Sequence, residues 1–185
     1  MKVIAILGSR NPSGQTARAS DALLEGVGAE SRSERIFLPQ VRIERCRQCD
    51  ENGWGTCRSE GRCVIEDDFA SVVEELKVAE RVVFANPVYF GDLSESLRAF
   101  LDRLRRIGRH ENGKAGVTGK PAVGICVAGG GGGGAPSCAW SLEKVLNTCG
   151  FDVVDMIPAR RQNLDMKCEV LKHVGRWFAG VDAKS

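Results

Sequence analysis

Hydrophobic and polar residues along this chain follow two rhythms. Short unbroken apolar runs, which suit strands buried on both faces, occur at residues 3–7 (VIAIL), 81–86 (RVVFAN), 122–128 and 151–157. Residues 35–38 (RIFL) read as a further strand, ended by Pro39. Between these runs the apolar spacing changes to three and four residues. That predicts helices over 15–27, 69–79, 94–107, 136–149 and 165–178. Asp67 and Asp68 stand where an N-cap is expected for the second helix, whose Phe69, Val72, Val73 and Leu76 share one face. Leu97, Phe100, Leu101 and Leu104 stripe the third. Its other face reads as solvated and basic, carrying Arg98, Arg103, Arg105 and Arg106. Strand and helix alternate five times, which predicts an α/β fold with a doubly wound parallel sheet and right-handed crossovers. The 185 residues most simply make one domain, 1–185, with residues 46–68 as a long loop inside it.

Three unusual segments follow strand ends, where such sheets bind ligands. The first is GSRNPSGQT, residues 8–16, which opens the first helix. Free N–H groups and the positive end of a helix dipole suit a phosphate. The dinucleotide pattern G-x-G-x-x-G is absent, because Gly8 is followed by Ser9 and Arg10. The triphosphate pattern G-x4-G-K-[ST] is also missed: five residues separate Gly8 from Gly14, and Gln15 replaces the lysine. What remains fits one terminal phosphate monoester. The second segment, Pro87, Val88, Tyr89, Phe90 and Gly91, offers an aromatic wall for a flat heterocycle. The third, six consecutive glycines at 129–134, reads as a loop at a cofactor's edge.

Composition sharpens this picture in two ways. A formal net charge of +2 gives no strong field for nucleic acid or a membrane surface. No apolar run approaches the roughly 20 residues that span a bilayer, and the chain enters a strand without a signal-peptide pattern. The expectation is a cytoplasmic protein. Eight cysteines are many for such a setting. Cys126 and Cys149 follow core spacing. Cys46, Cys49, Cys57 and Cys63 cluster within 18 residues and could supply the four thiolates of a [4Fe–4S] centre. Zinc matches the same ligand count, and a loop of reduced, unligated cysteines is the third alternative. Arg42, Arg45, Arg47, Arg58 and Arg62 surround the cluster in sequence and could balance its charge or dock an acidic carrier. His110 and His173 are read as surface or structural.

GSRNPSGQT, the later C-x5-C-V-I-E-D-D (57–68), NPVYFG (86–91) and LRAFLDR (97–103) occur in this order. Together they resemble the NADPH-dependent FMN reductase and iron–sulfur flavoprotein family, over about residues 2–157. The resemblance implies a flavodoxin-like five-stranded sheet of order 2-1-3-4-5. It also implies an FMN-dependent oxidoreductase in which the flavin carries the chemistry, so no catalytic side chain is assigned. FMN phosphate would be held by Ser9, Arg10, Ser13, Gly14, Gln15 and Thr16. Pro87, Val88, Tyr89, Phe90 and Gly91 would line the ribityl chain and ring, with Ala128, Gly129 and Gly130 at the opposite edge. The implied partners are NAD(P)H, quinone, flavin or ferredoxin, and the implied assembly is a homodimer or homotetramer. Iron–sulfur is placed ahead of zinc for Cys46, Cys49, Cys57 and Cys63. Iron–sulfur members of that family carry two residues between the second and third cysteines, whereas this chain has seven, Asp50 to Thr56. A flavodoxin-type carrier without substrate turnover is the alternative of a different class.

Overall fold

The computed structural model describes residues 1–108 and 116–181. Five parallel strands, β1 (Lys2–Leu7), β2 (Arg32–Phe37), β3 (Arg81–Pro87), β4 (Pro121–Ala128) and β5 (Asp152–Arg160), form one sheet. Their order is β2-β1-β3-β4-β5, as expected from the resemblance. Alternate residues of each strand face opposite sides. Ile4 and Ile6 of β1 therefore join one apolar core, and Val3, Ala5 and Leu7 join another. Helices α3 (Phe69–Val78), α4 (Glu95–Gly108) and α5 (Ala135–Cys149) cover the first face. Helices α1 (Gln15–Val27) and α6 (Leu164–Phe178) cover the second. A single helical turn, α2 (Thr56–Ser59), interrupts the cysteine-rich loop. Cys126 and Cys149 are buried in the first core, as their spacing predicts.

The α1–α6 pair is packed unusually close. A Cβ on Gly26 would lie 2.1 Å from the Lys172 carbonyl oxygen, and one on Gly175 would lie 2.1 Å from that of Leu23. Lys120, just before β4, closes the far end of α3. Its ammonium donates to the carbonyls of Leu76 at 2.8 Å, Lys77 at 2.9 Å and Ala79, which meets the orphan acceptors of a helix terminus.

Four boundaries or roles differ from the sequence reading. Strand β2 starts at Arg32, not Arg35, because an edge strand needs only backbone pairing on one side: Lys2 is in register with Arg32. Strand β5 runs on to Arg160, paired along β4 as far as Ala128. Asp68 is the N-cap residue of α3 but makes no side-chain cap hydrogen bond; its carboxylate accepts the Arg42 N–H instead, at 2.7 Å. Arg103 does not belong to the solvated face of α4. Only 1 % of its side chain is exposed. His110 lies outside the described residues.

Candidate functional site

The loop from Gly8 to Gly14 links the carboxyl end of β1 to α1. Gly8 is there because no side chain fits: a Cβ would lie 2.3 Å from Ser94 Oγ and 2.8 Å from Asn86 Oδ1. Asn11 holds the loop together. Its carboxamide oxygen accepts the N–H and the hydroxyl of Ser13, both at 3.1 Å, and its carbonyl accepts the Gly14 N–H at 3.2 Å. Helix α1 then begins with no side-chain cap and no acidic residue in its first turn. Its first intrahelical bond is from the Arg18 N–H to the Gly14 carbonyl. The amides of Gln15, Thr16 and Ala17 are thus left for an outside acceptor. Ser9, Arg10 and Ser13 edge this helix start, while Thr16 is buried beneath it. Free amides, a helix dipole and no carboxylate in the first turn of α1 fit a phosphate.

The end of β3 is built on Asn86, which is fully buried. Its carboxamide oxygen accepts the Ser94 N–H at 3.0 Å, and its NH2 donates to the Pro87 carbonyl at 2.7 Å and to Cys138 Sγ at 3.3 Å. Ser96 Oγ donates to the Gly8 carbonyl at 3.2 Å. These bonds join β1, β3, α4 and α5 into one polar knot. The Cys126 thiol beside Cys138 is pushed well above the usual thiol range by its hydrogen bond to Cys138 and by burial.

Beyond Asn86 the chain reverses at Tyr89, Phe90, Gly91 and Asp92. Tyr89 and Asp92 exchange both backbone hydrogen bonds, at 3.0 and 3.1 Å. Phe90 and Gly91 have φ of 51° and 77°, the pattern of a type I′ turn. A bulky residue at positive φ is uncommon. Phe90 is held there fully exposed, with Tyr89 half-exposed beside it. Gly8, Arg10, Tyr89 and Phe90 line one cleft of about 600 Å³, together with Pro39, Leu93, Ser94, Glu95 and Ser96. That volume suits a cofactor-sized ligand. The cleft thus brings together Gly8 and Arg10 of the first predicted segment and Tyr89 and Phe90 of the second, while Ser9, Ser13, Gly14, Gln15, Thr16, Pro87, Val88 and Gly91 do not line it. Sequence reasoning missed Asn11, whose partners are local, and Asn86, Ser94 and Ser96, whose knot reaches to Gly8 and Cys138, far off in the chain.

Ala128, Gly129 and Gly130 follow β4, on the neighbouring strand end, and do not line that cleft. A Cβ on Gly129 or Gly130 would meet nothing within 4 Å. Gly134, at the far end of the run, is different. A Cβ there would lie 2.5 Å from Gly91 Cα, so the run brings α5 against the aromatic turn.

The four clustered cysteines come to one place. Cys46, Cys49, Cys57 and Cys63 all line a cavity of about 20 Å³, and Arg47, Arg103 and Arg106 line it too. None of the four is in a disulfide. Among the described residues no three His, Cys, Asp or Glu side chains stand close enough to coordinate one metal ion. The loop is drawn shut at its base. Asp67, whose carboxylate is wholly buried, accepts Arg103 Nη1 at 2.6 Å and Nη2 at 2.9 Å, the Glu44 N–H at 2.7 Å and the Phe69 N–H at 3.2 Å. Burial opposes that charge, but these bonds outweigh it and hold the carboxyl below its ordinary 3.8. Trp54, in the seven-residue stretch between Cys49 and Cys57, has the Arg106 guanidinium 4.7 Å and that of Arg58 5.7 Å from its ring centre. Arg47 and Arg62 instead pair with Glu44 and Glu60. The arginines that line the cysteine cavity thus come both from the loop, Arg47, and from α4, Arg103 and Arg106. The buried Nε–H groups of Arg103 and Arg106 have no protein acceptor, so the cavity suits an anionic, thiolate-ligated body.

The sequence profile of the NADPH-dependent FMN reductases matches residues 1–162. An iron–sulfur flavoprotein of Methanocaldococcus jannaschii is 35 % identical over 133 residues, which are 70 % of this chain and 65 % of that protein. The chain thus spans just under two thirds of that relative. A second iron–sulfur flavoprotein of the same organism is 33 % identical over 160 residues, covering 85 % of this chain and 74 % of its own. In fold, the NAD(P)H:quinone oxidoreductase of Methanothermobacter marburgensis matches with a TM-score of 0.70 at 18 % identity, over 100 % of this chain and 99 % of that one.

Proposed function

The chain belongs to the NADPH-dependent FMN reductase family, and from that premise we propose that it is one FMN-binding domain acting as an oxidoreductase. The observation that carries this reading is the cleft in which Gly8 and Arg10, at the end of β1, meet the exposed Tyr89 and Phe90, at the end of β3, with the uncapped start of α1 a few residues further along the chain. Bound FMN supplies the hydride and electron chemistry. The protein binds, orients and shields it. The amides of Gln15 and Thr16, with Ser9, Arg10, Ser13 and Gly14, take the phosphate. Pro87, Val88, Tyr89, Phe90 and Gly91 line the ribityl chain and the ring. Ala128, Gly129 and Gly130 border the far edge, where the lack of side chains leaves a donor room to approach.

NAD(P)H is the proposed donor, and a quinone or free flavin the proposed acceptor. Cys46, Cys49, Cys57 and Cys63 would hold a [4Fe–4S] centre, which would supply electron exchange with a ferredoxin-like carrier. Their shared cavity and the buried guanidiniums around it support that part. A homodimer or homotetramer would cover the exposed Phe90 and Trp140.

The test is purification without oxygen, followed by the visible spectrum, metal and sulfide content, and rapid mixing with NADPH. The expected protein is yellow-brown, holds FMN with iron and sulfide, and loses its flavin absorbance on mixing. A colourless protein that ignores added FMN refutes the whole reading. FMN with neither iron nor zinc removes the cluster and leaves the reductase; zinc in place of iron makes the loop structural. A flavin that NADPH does not bleach makes the chain a carrier.

A further inference from the structure

We propose that Arg103 and Arg106 of α4 are positioning residues for the cysteine-held cluster, donating their Nε–H groups to its sulfurs and raising its potential. The inference rests on the cluster reading above. Three observations carry it.

The first is the pair of orphaned donors. Among the described residues only three buried side-chain nitrogen or oxygen atoms have no hydrogen-bond partner: Ser20 Oγ, Arg103 Nε and Arg106 Nε. An unpartnered buried N–H carries the full cost of its lost hydration. Two such donors on neighbouring turns of one helix point to an acceptor that the folded chain does not itself supply.

The second is where they lie. Both arginines line the cavity shared by Cys46, Cys49, Cys57 and Cys63. The third is how firmly each is held with its Nε spare. Both Nη groups of Arg103 are committed: Nη1 to the Glu44 carbonyl at 3.1 Å and to Asp67, and Nη2 to Asp67. Its guanidinium also lies 4.1 Å from the centre of the Phe69 ring. Arg106 Nη1 donates to the Gly53 carbonyl at 2.6 Å, and the plane stacks on Trp54.

A thiolate-ligated cluster carries net negative charge, and hydrogen bonds to its sulfurs are one of the levers on its potential. A donor favours the more negative, reduced form and so raises the potential. The two arginines differ in what else they do. Arg103 balances Asp67, so its replacement endangers the fold. Among the described residues Arg106 has no carboxylate partner, so it is the cleaner probe.

The experiment uses the full chain holding FMN and reconstituted with iron and sulfide. Electron–nuclear double resonance of the reduced protein, grown with 15N-arginine, should show 15N coupling to the cluster. Arg106→Lys keeps the charge but loses the planar donor; Arg106→Met loses both. Each should lower the cluster midpoint, Met more than Lys, while the FMN couple stays put. For Met the oxidised-to-reduced ratio at fixed potential should change about tenfold, about 59 mV for one electron. Trp54→Leu removes the stack and keeps the donor, so it should leave the midpoint near the parent value. The proposal fails if the 15N coupling is absent, if both Arg106 variants keep the parent midpoint, or if Trp54→Leu shifts it as far as Arg106→Met. If the parent protein takes up no iron and sulfide, the cluster reading falls first and this inference with it.

Discussion

At the scale of single residues, the tightest device is the buried pair of Asp67 and Arg103. A charge left alone in such a place is far costlier than the pair is worth. Asp67→Asn should therefore cost about 3–5 kcal/mol at pH 7, read from urea unfolding. The pH dependence has a definite sign. The carboxyl is held below its ordinary 3.8 in the folded chain, so its stabilisation is fully present above that value and is lost as pH falls through the lower, folded value. The gap between parent and Asp67→Asn should close on acidification below pH 3.8. A gap that is the same at pH 3 as at pH 7 would rule out an ionised pair. None of this shows in the local sequence. Arg103 follows Asp102 and precedes Leu104 in a helix with four arginines, and only the distant Asp67 tells it from its exposed neighbours.

At the scale of elements, the apolar rhythm of the chain finds every strand and all five long helices, within a few residues. It works because each element buries at least one face, and burial leaves a periodic trace. Edges are harder to read. Strand β2 carries Arg32, Ser33, Glu34 and Arg35, and its first half is held by backbone pairing and ion pairs such as Arg35 with Asp21 at 2.8 Å. The α1–α6 contact is likewise silent in the hydrophobic pattern, because its key residues have no side chains. Gly175→Ala should force the two helices apart and lower stability by about 1–3 kcal/mol, seen as a lower midpoint in thermal unfolding. An unchanged midpoint would mean that the helices can separate freely. Because α6 lies on the face opposite the cysteine loop, its variant should keep the iron and sulfide content of the parent.

At the scale of the whole molecule, Gly8 and Arg10 of the first predicted segment meet Tyr89 and Phe90 of the second in one cleft, since chain order alone sends them to the same end of the sheet. Their supporting polar knot, from Gly8 through Asn86 to Ser94, was not legible, because it joins residues about eighty positions apart. A ligand that binds only the folded chain stabilises it. FMN at one hundred times its dissociation constant should add about 2.7 kcal/mol, or roughly 5–10 °C in midpoint. Riboflavin at the same concentration should shift the midpoint less, because it lacks the phosphate that α1 would hold. Equal shifts would remove the phosphate from the site. The drawn-shut base of the cysteine loop has a consequence of another kind. The Asp68 N–H donates to the Arg42 carbonyl at 2.9 Å, so the loop leaves the globule and returns at almost the same point. Such a segment is a removable cartridge. Lengthening one costs little, about 0.6 kcal/mol per doubling, which is why a seven-residue stretch bearing Trp54 can be carried between Cys49 and Cys57. A chain with residues 45–66 replaced by a short Gly–Ser bridge, and with Arg103→Met and Asp67→Asn to leave no stranded charge, should still fold and take up FMN. The excised piece, grafted between the same two anchor positions of a cysteine-free relative, would show whether its cysteines take up iron or zinc away from Arg103 and Arg106, as a transplant.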